Sequence, residues 1–407
     1  MDIEIRSIRA EEFEAWLRGM SKAFNEYPRD EWLEMERKLI EPERTFAAID
    51  GDDFVGGAST ASMRMAVPGG EVPMAGVTGV GVAPTHRRRG VATMLMRHQL
   101  EYVRDRGEEP VAALHASEGG IYGRFGYGVA TSDCAIEIER ERTAFLWLPR
   151  EQGRVRLIDR EKAFAAMEPV YDAVRGVQPG MIERRGVWWD ARFEDFEHDR
   201  EGASPFFFAI HEGPDGVDAY AVYRFKHDWS QVLPHGSVDV EELIATSPDA
   251  YANMWRFVFD LDLAARIKAE LRPIDDPLLG LLVEPRRLRL TVRDGMWLRL
   301  VDVRAALATR RYRVDGSLVL EVRDQFCPWN DGRYRVEGGP DGAVCTRTNA
   351  EPDVALSASE LGAAFLGDSS FGQLARAGRV HEERSGALRR ADLMFGWDLA
   401  PWCTQLF

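Results

Sequence analysis

Val77-Thr78-Gly79-Val80-Gly81-Val82-Ala83-Pro84-Thr85-His86-Arg87-Arg88-Arg89-Gly90-Val91-Ala92 decides how the first part of this 407-residue chain folds. Val77 to Ala83 is an apolar run of strand length. From about Gly90 to Arg106, the placing of Val91, Met94, Leu95 and Tyr102 on one face predicts an amphipathic helix. Arg104 and Arg106 fall in its last turn and Gly107 sits where a glycine stop is expected. Val111-Ala112-Ala113-Leu114 then reads as a short buried strand. Strand, helix and strand in this order make a βαβ-type unit in a mixed sheet.

Between the strand and the helix lies Arg87-Arg88-Arg89-Gly90. A helix N-terminus presents unpaired backbone N–H groups and a partial positive charge, which suits a pyrophosphate. Gly90 lets a phosphate approach the backbone, and the arginines add charge. Alone, the triplet would be a solvated basic run; its place after Val80-Gly81-Val82-Ala83-Pro84 makes it a phosphate site. Other phosphate motifs fail. Gly79-x-Gly81 is followed by Pro84 where a dinucleotide fingerprint needs its third glycine, and there is no G-x-x-x-x-G-K-[ST]. Nucleotide hydrolases and dehydrogenases are thereby excluded.

Towards the N-terminus, Ile3 to Ile8 suggests a strand, and Glu11 to Phe24 has helical spacing of Phe13, Trp16, Leu17, Met20 and Phe24. Thr45 to Ile49 and Phe54 to Ala58 are strand-like and separated by Asp50-Gly51-Asp52, a hairpin signal. A second segment repeats the order. Pro169 to Arg175 looks helical with proline in the first turn, Phe206–Ile210 and Asp218–Arg224 look like paired strands, and a strand at Val238–Ile244 precedes a helix at Ala250–Leu263. Nothing there matches Arg87 to Gly90. A third segment opens near Arg287, where Leu288–Val292 and Met296–Val303 flank Arg293-Asp294-Gly295 and read as a hairpin. Strands at Leu318–Val322 and Gly332–Val336 and helices at Ser357–Leu366 and Ser370–Ala377 follow. The expected domains are 1–150, 151–286 and 287–407, of α/β (α+β) class. The last residues, Trp402 to Phe407, are apolar and aromatic where chain ends are usually polar, and look built to be buried.

Bulk properties narrow the function. The composition, 45% hydrophobic and 29% charged, supplies several real cores. No apolar run approaches the roughly 20 residues needed to cross a bilayer. The start, Met1-Asp2-Ile3-Glu4-Ile5-Arg6, lacks the features of a signal peptide. Four scattered cysteines support neither a disulfide framework nor a zinc site, so a cytoplasmic location is expected. A net charge of −15 argues against nucleic-acid binding. It suits steering of a cationic substrate, or solubility alone.

Val80-Gly81-Val82-x-Pro84-x-x-Arg87-Arg88-x-Gly90-x-Ala92 resembles the pyrophosphate motif of the GNAT superfamily of acyl-CoA N-acyltransferases. The resemblance implies acetyl-CoA as co-substrate. Val80, Gly81 and Val82 would lie along its pantetheine arm, and Arg88, Arg89, Gly90, Val91, Ala92 and Thr93 around its pyrophosphate. Ile121-Tyr122-Gly123-Arg124-Phe125-Gly126-Tyr127 resembles the family's Y-x-x-x-G-F/Y segment, which makes Tyr122, not Tyr127, the general acid for the departing thiolate. Ser117 and Glu118 fall where that family contacts the coenzyme arm.

His115 to Gly128, together with Pro84 to Gly90 and the three-part layout, is similar to the enhanced intracellular survival (Eis) acetyltransferases. That resemblance implies two tandem GNAT-like domains, then a sterol-carrier-protein-like domain in a hexamer. It also implies acetylation of aminoglycoside amines, often at several positions, with the α-carboxylate of Phe407 as general base. Backbone N–H groups near Val82 would stabilise the oxyanion of a direct transfer. Glu26, beside Tyr27 and Trp32, is the candidate contact for the cationic amine. His86, His98 and His115 have no metal-ligand spacing, and no metal is expected. A lysine-bearing protein or a small polyamine remains an alternative acceptor. A lipid-binding protein with a regulatory coenzyme site is an alternative of another class.

Overall fold

The computed structural model describes residues 3–150, 153–229 and 233–407; Met1, Asp2 and the first residue of the expected second domain lie outside them. Three mixed sheets form its frame. The first runs Glu4–Ser7, Thr45–Asp50, Asp53–Val67, Gly70–Val82, Val111–His115, Met296–Leu300 and Gly128–Val129 in spatial order. The second runs Arg289–Asp294, Ser132–Glu139, Ala264–Pro273, Gly236–Ala245, Gly216–Lys226, Phe207–Gly213 and Arg154–Ile158. The third has five strands, with Gly316–Arg323 at its centre.

Sheet membership crosses the segment boundaries. Ser132–Glu139, from the first segment, pairs inside the second sheet with Ala264–Pro273 and Arg289–Asp294. Met296–Leu300 pairs inside the first, with Val111–His115 and Gly128–Val129. The hairpin expected at Arg293-Asp294-Gly295 is therefore not one. Its two arms belong to different sheets, and Gly295 marks the crossing, where a Cβ would sit 2.6 Å from Thr131 Oγ1. Thr131 joins the two ribbons by accepting twice, from Gly295 N at its carbonyl oxygen and from Met296 N at its hydroxyl oxygen, at 2.9 and 2.8 Å. Asp-Gly reported a sharp change of direction, but the partners of each arm are set by distant strands.

Two further expectations are corrected. Pro169 lies well inside a helix, Arg160–Arg175, rather than in its first turn. An interior proline costs about 3 kcal/mol, offset here by burial of Ala163, Met167, Val170 and Tyr171. On the helix Val91–Arg106 the buried face is Val91, Leu95, Met96, Leu100 and Val103, and Met94 is exposed. The helix Asp30–Leu39 and the strands Ser132–Glu139, Arg154–Ile158 and Ala264–Pro273 were not anticipated.

The third unit does not stand apart. Its helix Ala358–Phe365 is buried at every position and packs on Met296–Leu300. One apolar cluster runs from Met65, Met74 and Val111 of the first sheet to Leu320, Leu361 and Phe365 of the third unit. The four cysteines are buried and free. Among the described residues no helix is long and apolar enough to cross a membrane.

Candidate active site

The first sheet opens into a fork. Gly70–Val82 and Val111–His115 run parallel and pair at Met74, Ala75 and Gly76, opposite Val111, Ala112 and Ala113; beyond Gly76 their pairing stops. Val77 is still buried, but Thr78 to Val82 are half-buried, as strand residues with one open side must be. A bulge sits on this prong: Gly57 faces Gly81 and Ser59 faces Thr78, so Gly79 and Val80 oppose a single residue. Gly79 has φ +58°, a left-handed conformation that glycine adopts without penalty. The bulge re-aims the backbone of Val80 to Val82 into the fork.

At the end of this prong the chain turns through Ala83 to Gly90 into the helix Val91–Arg106. Arg87 folds back, donating to Ala23 O at 2.7 Å, and so ties the loop to the segment after the first helix. His86 Nε2 lies 3.1 Å from Asp50 Oδ2 and holds the loop start. Arg88 (φ +62°) and Gly90 (φ +83°) both take left-handed conformations. The Arg88 side chain is exposed and makes no hydrogen bond or ion pair among the described residues. Gly90 caps the helix without a side chain, and the first helical bond is Met94 N to Gly90 O at 3.0 Å. The N–H groups of Val91, Ala92 and Thr93 therefore lack helical acceptors. A Cβ on Gly90 would meet nothing within 4 Å. These donors fit a pyrophosphate. Arg88→Ala should raise KM for acetyl-CoA about tenfold with little change in kcat, a difference that shrinks with added salt; steady-state kinetics at two ionic strengths check this.

Tyr122 follows the second prong. Its ring is 6% exposed and packs with Val77 and Leu114, one residue from each prong. Its hydroxyl makes no hydrogen bond among the described residues, yet is not among the sealed unpaired atoms, whereas that of Tyr127, 0% exposed, is. Burial pushes the Tyr122 phenol above its ordinary value, so it carries its proton at neutral pH. Ser117 and Glu118 are exposed on the loop after His115.

Phe407 reaches the same fork from the other end of the chain and on the other face of the sheet, at Gly76 and His115 rather than Val77 and Leu114. Its ring meets His115, the last residue of the second prong, edge-on at 5.1 Å. A Cβ on Gly76, where pairing of the prongs ends, would lie 3.3 Å from Phe407 Cδ2. His115 Nε2 is 3.2 Å from Gln405 O. Burial pushes this imidazole down to about 4, so it is neutral and donates.

Phe407 also lines a cleft of about 440 Å³, together with Thr78 and Gly79. Trp16, Trp32 and Trp188 contribute aromatic walls, and Glu26, Glu36 and Glu194 contribute carboxylates. Glu26 is thus in the cleft, but Tyr27, expected beside it, is 92% exposed and turned away. Glu36 and Glu194 were not anticipated. Glu194 Oε1 is sealed from solvent without a hydrogen-bond partner. Burial, then the neighbouring charge of Glu36, pushes its carboxyl up to about 7. Burial likewise raises Glu36. Among the described residues no group of three or more His, Cys, Asp or Glu is placed to hold a metal ion.

A second unanticipated group holds the tail. Arg184, fully buried, makes a two-pronged ion pair with Glu242 at 2.9 Å and donates to Gln405 Oε1 at 2.9 Å and Thr404 Oγ1 at 3.1 Å. Burial by itself would raise the Glu242 carboxyl, but Arg184 holds it down at about 2. The sequence did carry a signal. Glu242 interrupts the apolar alternation of Val238, Val240 and Ile244, although the bulge at Glu241 turns Val238 and Val240 to one core and Ile244 to the other.

Residues 4–130 and 180–300 each match the model of an acetyltransferase (GNAT) domain, and residues 303–404 match a sterol carrier protein domain. The chain is 37% identical over 358 residues to the N-acetyltransferase Eis of Mycobacterium tuberculosis, covering 86% of this chain and 85% of that one. It is 41% identical over 410 residues, the whole of both chains, to an uncharacterized N-acetyltransferase of Streptomyces avermitilis. The crystal structure of Eis1 from Mycobacterium abscessus superposes over all of both chains with a TM-score of 0.85 at 33% identity. A GCN5-related N-acetyltransferase from Anabaena variabilis shares the fold, with a TM-score of 0.87 at 20% identity.

Proposed function

This chain belongs to the Eis family of GNAT N-acetyltransferases, and from that premise we propose that it acetylates primary amines of aminoglycoside-like polyamines, at more than one position, by direct transfer from acetyl-CoA. The observation that carries this reading is that Tyr122 and Phe407 flank one fork from its two faces, beside a cleft walled by tryptophans and unpaired carboxylates. An unpaired carboxylate facing another is costly unless a cation joins them. A substrate with several ammonium groups supplies one for each of Glu26, Glu36 and Glu194. Aromatic walls suit such cations as well.

Acetyl-CoA supplies the thioester. The backbone of Val80, Gly81 and Val82 aligns its arm, with N–H groups near Val82 accepting the charge that builds on the carbonyl oxygen. Arg88, Arg89, Gly90, Val91, Ala92 and Thr93 hold the pyrophosphate, and Ser117 and Glu118 border the coenzyme arm. The Phe407 carboxylate receives the amine proton, directly or through water, and Tyr122 donates its own to the leaving sulfur. The three carboxylates in the cleft suit a polyamine better than lipid. The third unit's helix Ala358–Phe365 is already buried throughout.

Thiol release from acetyl-CoA, followed across aminoglycosides, polyamines and lysine peptides, tests the acceptor class. Turnover with aminoglycosides, and more than one acetyl group by mass spectrometry, is the expected result. Turnover with lysine peptides alone would replace the acceptor and keep the chemistry. No release with any amine would remove the catalytic reading.

Glu194 adds a pH signature. Below about 7 its carboxyl holds a proton and above it is charged, while amines of pKa about 10 stay cationic. KM for a polyamine should fall several-fold as pH rises through 7, and Glu194→Gln should abolish that step. Since the folded state binds this proton more tightly than the unfolded chain, the group's stabilising contribution is present below about 4.5 and lost as pH rises through 7. Glu194→Gln should therefore raise Tm at pH 8 and not at pH 4.

Self-association into a hexamer is part of the same proposal. Leu146, Trp147, Leu148 and Val283 are at least half exposed, and the edge strand Arg289–Asp294 exposes every residue. Sedimentation velocity showing a monomer at micromolar concentration would remove it.

A further inference from the structure

The second sheet contains the same fork as the first, and it is closed. Gly236–Ala245 and Ala264–Pro273 run parallel, pair up to Val240 and Ala269, and then separate, with the helix Pro248–Phe259 between them. A bulge falls at the corresponding place: Val222 faces Glu242 and Tyr223 faces Val240, leaving Glu241 extra. What differs is access. Glu242, Leu243 and Ile244 are each at most 3% exposed, where Thr78 to Val82 are half-open. Thr246 and Ser247 alone separate strand from helix, with no arginine loop. Ser247 Oγ accepts from Ala250 N at 3.2 Å, so this helix caps itself and offers no open cradle.

The chain's own tail fills the space between the prongs. Trp402 packs with Ile244 of one prong and donates from Nε1 to Leu271 O of the other at 2.6 Å. Arg272 crosses the gap to Leu243 O at 2.8 Å, with its guanidinium 5.2 Å from the Trp402 ring. Two residues on, Arg192 donates to Thr404 O at 2.9 Å, and Arg184, paired with Glu242, holds Thr404 and Gln405. The chain then leaves this fork and places Phe407 in the first.

We propose that the second acetyltransferase-like unit serves as a holder, its fork clasping Trp402 to Gln405 through the Arg184–Glu242 pair and so positioning the Phe407 carboxylate for the first unit's reaction. Arg184 and Glu242 are positioning residues. They are buried away from the reacting atoms and act through the tail. This rests on the reading of Phe407 as proton acceptor. The physical case is one of rigidity: a catalytic group at a chain end keeps its place only if the preceding residues are fixed, and a misplacement of about 1 Å can cost about a hundredfold in rate.

Removing Arg184 alone would strand the Glu242 charge and risk unfolding. Replacing both partners together, Arg184→Met with Glu242→Met, loosens the tail without leaving a buried charge. Gln405→Met is a milder second variant that keeps the ion pair. The pair variant is expected to lose about ten- to a hundredfold in kcat with KM for acetyl-CoA unchanged. It should also release Phe407 to carboxypeptidase faster than wild type. In a background extended by one residue beyond Phe407, it should cause no further loss, the coupling expected of groups acting through one another. Gln405→Met should shift the same quantities less. Unchanged kcat and unchanged release, in either variant, would overturn the holder. Additive loss in the extended background would overturn it too. If extension alone leaves turnover intact, the acceptor role of Phe407 fails instead, and the release assay still decides whether the fork holds the tail.

Discussion

Tyr122→Phe is expected to lower kcat by about 10²- to 10³-fold, the usual contribution of a positioned general acid, while KM for acetyl-CoA and Tm stay near wild type. The separation follows from the position of the hydroxyl. The ring is buried among Val77, Leu114 and Phe125, and phenylalanine keeps every one of those contacts. The hydroxyl makes no hydrogen bond among the described residues, so its removal leaves no partner unsatisfied. From ordinary values, moving a proton from a phenol near 10 to a thiolate near 8.5 is uphill by about 2 kcal/mol. Burial raises the phenol further, and the same burial raises the thiol, so the difference stays small enough for a fast step. Tyr127→Phe is the control. That hydroxyl is sealed and unpaired at 0% exposure, so its loss should leave kcat unchanged and stability equal or higher. Single-turnover kinetics on both variants check the assignment; equal rates for Tyr122→Phe and wild type would remove Tyr122 from the chemistry.

Adding one residue beyond Phe407 is expected to reduce kcat by at least about 10²-fold. The extension turns the α-carboxylate into an amide, which cannot accept the amine proton, and moves the new carboxylate by about 3.5 Å. The aromatic ring can stay against His115 and Gly76, so folding should survive. The loss should deepen as pH falls, because a free amine is then scarcer and the lost base matters more. Deleting Phe407 is the coarser version, since it also removes the packing at the crotch of the fork. Steady-state rates of the extended chain, with Tm as the control for folding, are the measurement. Wild-type turnover in a folded extended protein would show that the proton leaves by another route.

Much of the site was legible because its chemistry is local in sequence. Backbone donors at a helix start, a glycine free of side-chain clashes and an exposed arginine all lie within a few residues of one another. A strand-to-helix junction puts them together whatever the rest of the chain does. Tyr122 and its neighbours are equally local to the end of the second prong. Trp402 to Phe407 announced burial through composition, though not what they would be buried against. Glu36 and Glu194 lie 158 positions apart and carry no motif; a glutamate is mostly a surface residue, and their meeting across a cleft is invisible in either neighbourhood. Arg293-Asp294-Gly295 failed for the same reason in reverse. Its turn signal was real, but a strand's hydrogen-bonding partner is a long-range property, and two sheets competed for its arms.

The sequence by itself determined the strand–loop–helix junction at Arg87 to Gly90 and the burial of Trp402 to Gln405, though not the exposure of Leu406, because these follow from backbone geometry and from the aversion of aromatic side chains to water. Tertiary structure alone decided that the tail passes through one fork to reach another, that strands are exchanged between the first two sheets, and which carboxylates line the cleft. Each of those depends on contacts between residues one to three hundred positions apart, where pairing is selected by the packing of whole sheets rather than by any local preference.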